Sequence, residues 1–316
     1  MPDREGARRL AFLDACRALA VLGMLFANMM NVFLSRVPEV LQHNEGDVLR
    51  AFDFPAPVFQ FLIGVSLVLF LRKRTAAGLT PARARLAAAW RFVLLIVLGI
   101  VLDSVGLLTP KPWGVLQTLG LGGLVATGVA ELPDWIVAAL ALGLVALFFR
   151  GARGEVHLHP IAALTFVPLT LAGLLVGRGL GTGLPEGRFI TRGVAVAVAG
   201  LGLAALATAA GVPFNKVVGT SSFVALATAA SATLLLATAA LERAGVGFAP
   251  WLLAVGANAL TAWVLQYVLV YYPAWIVFPA WPRLPLLPGM AAVVVALAAL
   301  SALSIALGRR GIRIPI

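Results

Sequence analysis

The sequence predicts an all-α polytopic membrane protein, a bundle of about ten transmembrane helices, and three observations lead there. Apolar residues make up 61% of the 316 and charged residues only 12%, with a mean hydropathy of +1.00. That lies far outside the range of soluble globular chains. The apolar residues come in unbroken runs of about 20, the length of a bilayer-crossing helix. They do not alternate with polar ones, which excludes a transmembrane β-barrel.

The first run, 11–34, follows a short N-terminus that contains acids, "MPDREGARRL". It carries Asp14 and Arg17, so it reads as a retained span rather than a cleaved signal peptide. Asp14 and Arg17 lie three apart and share a helix face, where they form a structural ion pair. Each alone would cost about 2.5–3.5 kcal/mol at mid-bilayer, so both should face protein or water. Asn28 returns within about 40° of the same face, about 21 Å further along.

The 35–53 loop is polar and acidic, broken by Pro38 and Gly46, and holds His43 and Asp53. The second run, 54–71, opens at "FDFPAP" and closes on Arg72, Lys73 and Arg74. The basic stretch 72–91 includes "TPARARLAAAWR", which reads as a short surface helix before the third run, 92–108. Runs follow at 116–132, with Gln117 inside it, and at 135–149, 160–177 and 193–210. The 178–192 connection is Gly-rich but lacks the strand context of a dinucleotide-binding loop. The last three runs are 220–241, 251–272 and 289–307. Small residues dominate the first of these, as close helix packing in lipid requires. The second contains Asn258, Gln266 and Tyr267. No soluble domain interrupts the series, so residues 1–316 read as one integral-membrane domain.

The net charge of +11 is not read as nucleic-acid binding. With ten spans and the N-terminus inside, most Arg and Lys residues fall on the inner side, as the positive-inside bias requires. Both termini are therefore expected to be cytoplasmic. Cys16 is the only cysteine, so an internal disulfide is impossible. His157 and His159 are poorly spaced for a helical metal site, no Cys or His cluster supports zinc, and both read as surface residues.

His43 and Asp53 flank the mouth of the second run, where a membrane span needs neither. A carboxylate beside an imidazole fixes its tautomer and raises its basicity. Several stretches, in order, carry a resemblance: "LDACRALAVLGMLFAN", then His43, "FDFPAPVFQFLIGVSL", "GVLQTLGL", "PFNKVVGTSSFVALATAA" and "GANALTAWVLQY". Together they resemble heparan-α-glucosaminide N-acetyltransferase and its bacterial relatives, a family of transmembrane acyltransferases. Ala18 stands where the family usually has Gly, Gly219 where it has Trp, and the Trp-x-Gly that follows the family's His is absent. The missing aromatic removes a face on which a sugar would stack.

The resemblance implies that acetyl-CoA, as co-substrate, enters from the cytoplasm and that an amino sugar or glycan is acetylated at the outer face. It implies His43 as base or acetyl carrier, Asp53 as its orienting carboxylate and Asn28 as a site-lining hydrogen-bonder. Asn258 and Gln117 are substrate-binding candidates, and Arg72, Lys73 and Arg74 would attract the anionic CoA. No metal is expected. The alternatives are an O-acetyltransferase of envelope glycans, or a transporter or flippase without acyl-transfer chemistry. The Ala-, Gly- and Arg-rich composition points to a bacterial inner membrane, with the lipid bilayer as partner and homo-oligomerisation left open.

Overall fold

The computed structural model describes residues 10–42, 46–181, 187–278, 280–312 and 314. The helices run α1 (Ala11–Phe33), α2 (Pro55–Ala76), α3 (Pro81–Leu107), α4 (Val115–Gly128) and α5 (Asp134–Leu147). They continue as α6 (Pro160–Ala163), α7 (Val167–Gly177), α8 (Gly187–Ala209) and α9 (Ser221–Arg243). The last are α10 (Pro250–Ala257), α11 (Ala259–Gln266) and α12 (Leu286–Arg309). Successive long helices reverse direction. The face where α1 begins is called basal below, and the face where it ends distal.

Among the described residues eight helical segments are long and apolar enough to cross a bilayer. The expected spans at 116–132 and 135–149 are instead 14-residue helices, α4 and α5. Each is about 21 Å long, less than the ~30 Å hydrocarbon thickness. The apolar run continues past Gly128, but Pro133 and the acids Glu131 and Asp134 turn the chain there. The surface helix expected within 72–91 is not separate. Thr80 accepts a hydrogen bond from the Arg83 N–H at 3.4 Å, and Pro81 fits the first helical position. Those residues are the opening turns of α3.

Small residues bring the inner helices into contact. A Cβ on Gly64 of α2 would collide with the Thr170 carbonyl and Leu174 N–H of α7, and one on Gly173 with the Phe61 carbonyl. Lipid tails are as apolar as Leu, so such close backbone approach replaces the hydrophobic drive of a soluble core. Large apolar side chains instead cover the lipid-facing surface, among them Val97, Leu142, Val198, Leu287 and Val295. Trp135 and Trp251 are exposed on the first turns of α5 and α10 at the basal end, and Trp275 and Phe278 at the distal end. These are the levels at which interfacial aromatics sit. Past α11 the chain forms two π-helical turns, Tyr267–Tyr271 and Pro273–Val277.

Gly46 lies in the distal connection between α1 and α2, and Gly78 in the basal connection between α2 and α3. With the basal face cytoplasmic, a reporter active only outside the cytoplasm should give signal when fused after Gly46 and none after Gly78. The reverse pattern would invert the orientation.

Candidate functional site

Two polar groupings lie along α1, one near each face. At the basal end Arg17 Nη1 meets Asp14 Oδ1 at 3.1 Å, and its other terminal nitrogen donates to the Ser66 hydroxyl. The expected pair therefore forms. Asp14 is buried, whereas the Arg17 side chain keeps 27% exposure because it lines a cavity of about 150 Å³. The same cavity is lined by Arg91 of α3, Phe70 of α2, and Asn258 where α10 meets α11. The Arg91 guanidinium stacks over the Phe70 ring at 4.4 Å and Arg74 over the same ring at 5.2 Å. Arg91 Nε and Asn258 Oδ1 are buried without a hydrogen-bond partner among the described residues. Such groups are costly unless something else satisfies them.

Of the three basic residues closing α2, only Arg74 joins this cavity through Phe70. Lys73 is exposed at the basal surface. Arg72 points elsewhere and donates to the carbonyls of Leu180 and Arg178.

A separate pocket of about 10 Å³, room for about one water, lies on the distal side of the basal cavity. The two share Phe59, Ala259 and Leu260, and the second adds Val21, Met24 and Trp263. Its lining is apolar throughout. Met24 lies one turn before Asn28, and Trp263 one turn before Gln266. There the Asn28 amide donates to Gln266 Oε1 at 3.2 Å. Gln266 is fully buried, and its Nε2 has no partner among the described residues. From Arg17 to Asn28 is 11 residues, about 16 Å of helix.

At the distal mouth Asp53 ends a short 3₁₀ turn, Ala51–Asp53, and is completely buried. Its Oδ2 accepts the Arg50 N–H at 2.8 Å, and Lys216 Nζ lies 3.7 Å from its Oδ1. The Lys216 side chain is only 12% exposed. Burial lowers its proton affinity below the ordinary lysine range, and the Asp53 carboxylate restores part of it. Asn215 Nδ2 donates to Asp47 Oδ1 at 2.8 Å, tying the 213–220 loop to the 46–53 loop. His43 lies outside the described residues. The preceding residue, Gln42, accepts from Arg50 Nη1 at 2.6 Å, three positions before Asp53.

Gln117 is fully buried but belongs to a different group. Its Nε2 lies 3.3 Å from Asp103 Oδ2, and the Tyr267 hydroxyl donates to Asp103 Oδ1 at 2.8 Å. Asp103 is a carboxylate within a span that the sequence reading passed over, although a charge inside an apolar run is itself a signal. Arg91 and Lys216 were passed over too, the first as part of the topology charge and the second inside a motif without a role. His157 differs from the surface residue expected: it is half-buried, with its ring edge-on to Phe166 at 5.7 Å. At Gly219 the backbone has φ +65°, and a Cβ would collide with the Thr165 side chain. The Trp usual in the related sequences cannot occupy this backbone.

Residues 9–163 match the family model described as heparan-alpha-glucosaminide N-acetyltransferase, catalytic. Over 139 residues the chain is 29% identical to heparan-alpha-glucosaminide N-acetyltransferase of Mus musculus. That match covers 42% of this chain and 20% of the mouse protein, so the chain spans about a fifth of the curated relative's length. The resemblance drawn from the motifs is borne out, and over residues 9–163 the chain is similar to that family.

Proposed function

We propose that this chain is a transmembrane acetyltransferase that moves an acetyl group from acetyl-CoA, held at the basal face, to an amino sugar or glycan at the distal face. The observation that carries the reading is the basal cavity between Arg17 and Arg91, with a small apolar pocket beside it that ends one turn short of Asn28 and Gln266. A cationic mouth, an apolar neck and a polar far end match, in order, the phosphates, the thin arm and the thioester of an acyl-CoA. In this reading the basal face is cytoplasmic and the membrane is a bacterial inner membrane.

At the distal end the acceptor nitrogen attacks the thioester carbonyl, and the C–S bond breaks as the C–N bond forms. The proton lost by nitrogen goes to His43, acting as general base, and the thiolate leaves to be protonated as CoA. Should His43 attack first, its acetyl-imidazole would deliver the group in a second step. In this reading amide N–H groups of Asn28 and Gln266 stabilise the oxyanion. Asp53 orients the imidazole, and Lys216 holds that carboxylate in place.

Acetyl transfer to glucosamine by purified protein in liposomes, followed by CoA release, tests the reading. Arg91→Gln removes a charge-assisted contact worth about 1.5–3 kcal/mol, so the KM for acetyl-CoA should rise about 10–100-fold with little change in kcat. Turnover confined to hydroxyl acceptors would favour the O-acetyltransferase. An inactive parent that still binds or moves acetyl-CoA would favour the transporter.

A further inference from the structure

A second basic pocket, of about 230 Å³, opens on the basal face on the other side of α2. The donor cavity is lined by Phe59, Ile63, Ser66 and Phe70 of α2, and the second pocket by Val68, Leu71, Arg72 and Thr75. At 100° per residue these two sets point to opposite faces of the helix. The pocket is closed by Pro81 and Arg85 on the first turns of α3, Glu131 in the α4–α5 turn, and Arg178 after α7. Its floor is apolar: Val68, Ala84 and Leu174 are all buried.

We propose that this pocket binds the phosphodiester headgroup of an anionic glycerophospholipid. Three arginines face one glutamate here, so the pocket is net cationic. Arg85 Nη1 pairs with Glu131 at 2.9 Å, and the half-exposed Glu131 is only partly able to neutralise it. Arg178 is spent on Asp134 and on the Ala130 carbonyl, and Arg72 on the carbonyls that end α7. A guanidinium carries five N–H donors, so these contacts fix the side chains and leave donors over. The opening turn of α3 adds the positive end of its dipole.

The depth of the pocket identifies the anion as a lipid. It lies beside the turn that leads into Trp135, which is 71% exposed at the interfacial level, where headgroups sit. Basic pockets between transmembrane helices, with apolar walls for the glycerol backbone, recognise lipid headgroups in this manner. The site stands apart from acyl transfer and does not depend on it.

The test is a titration of the purified full chain with phosphatidylglycerol, scored by thermal midpoint and by lipid retained in native mass spectra. Phosphatidylcholine, inorganic phosphate and glycerol 3-phosphate are the comparison arms. Phosphatidylglycerol should stabilise and be retained where phosphatidylcholine is not. Arg85→Gln, which touches no helix cap, should weaken it about fivefold, and Glu131→Gln should tighten it by a similar factor. Equal behaviour of the two lipids would overturn the proposal, as would two variants that both bind like the parent. If inorganic phosphate or glycerol 3-phosphate protects as well as the lipid, the pocket is a simple phosphate site and the lipid assignment fails.

Discussion

Replacing His43 with Ala is expected to reduce acetyl transfer to glucosamine by about 10²–10⁴-fold while leaving acetyl-CoA binding measurable. An amine that attacks a thioester must shed a proton as the new bond forms, and an imidazole titrating near neutrality is suited to take it. In the proposed reading the donor's charged end sits instead at Arg17 and Arg91, about 16 Å along α1 from Asn28. Removing His43 should therefore separate binding from chemistry. Asp53→Asn is the graded counterpart. Asp53 is buried, fixed by the Arg50 N–H and 3.7 Å from Lys216. Its neutral amide should lower turnover less than the loss of His43 and displace the pH profile. Paired measurements of CoA release and acetyl-CoA binding distinguish the outcomes. An active parent with a fully active His43→Ala variant would remove His43 from the mechanism.

Much of the fold was legible because bilayer physics is simple: an unbroken apolar run of about 20 residues has few other uses. Thus the run read at 160–177 is the helical segment Pro160–Gly177, and the one read at 11–34 is α1. Hydropathy could not reveal where an apolar run stops being a helix. At 116–132 the run outlasts α4 because Pro133 and the acids beside it redirect the chain. At the start of α3 the reverse happens: arginines hide a helix that Thr80 and Pro81 had already begun.

The candidate site was legible where its residues are unusual for their surroundings, as with Asp14, Arg17 and Asn28. It was illegible where helices distant in sequence converge. Arg91 reads as one more positive-inside charge until α2 and α10 bring Phe70 and Asn258 beside it. One distinction was available in advance. Arg72 and Arg74 are two positions apart on a helix, about 200° around it, so they cannot share a cavity. The structure separates them accordingly, Arg74 onto Phe70 and Arg72 into the second basic pocket.

Asp14 and Arg17 should not be equivalent under neutralisation, although a buried pair read from sequence alone treats them alike. Breaking a buried ion pair by removing one partner costs about 3–5 kcal/mol, because the remaining charge stays out of water. That figure applies most directly to Arg17→Gln, which takes the cation at 3.1 Å from a carboxylate whose side chain is only 6% exposed. Asp14→Asn leaves the guanidinium instead, and that group keeps 27% exposure, its bond to Ser66 and a cavity that admits water. Its cost should fall below the same range. Close packing accompanies the pair, since Gly256 of α10 lies directly against the Asp14 backbone carbonyl. Thermal melting in detergent without acetyl-CoA is the measurement, so that lost ligand binding does not enter. Arg17→Gln should melt well below Asp14→Asn, and Asp14→Asn below the parent. Should Asp14→Asn prove the more damaging, or both melt like the parent, the carboxylate would have to be solvated and the basal cavity would lie elsewhere.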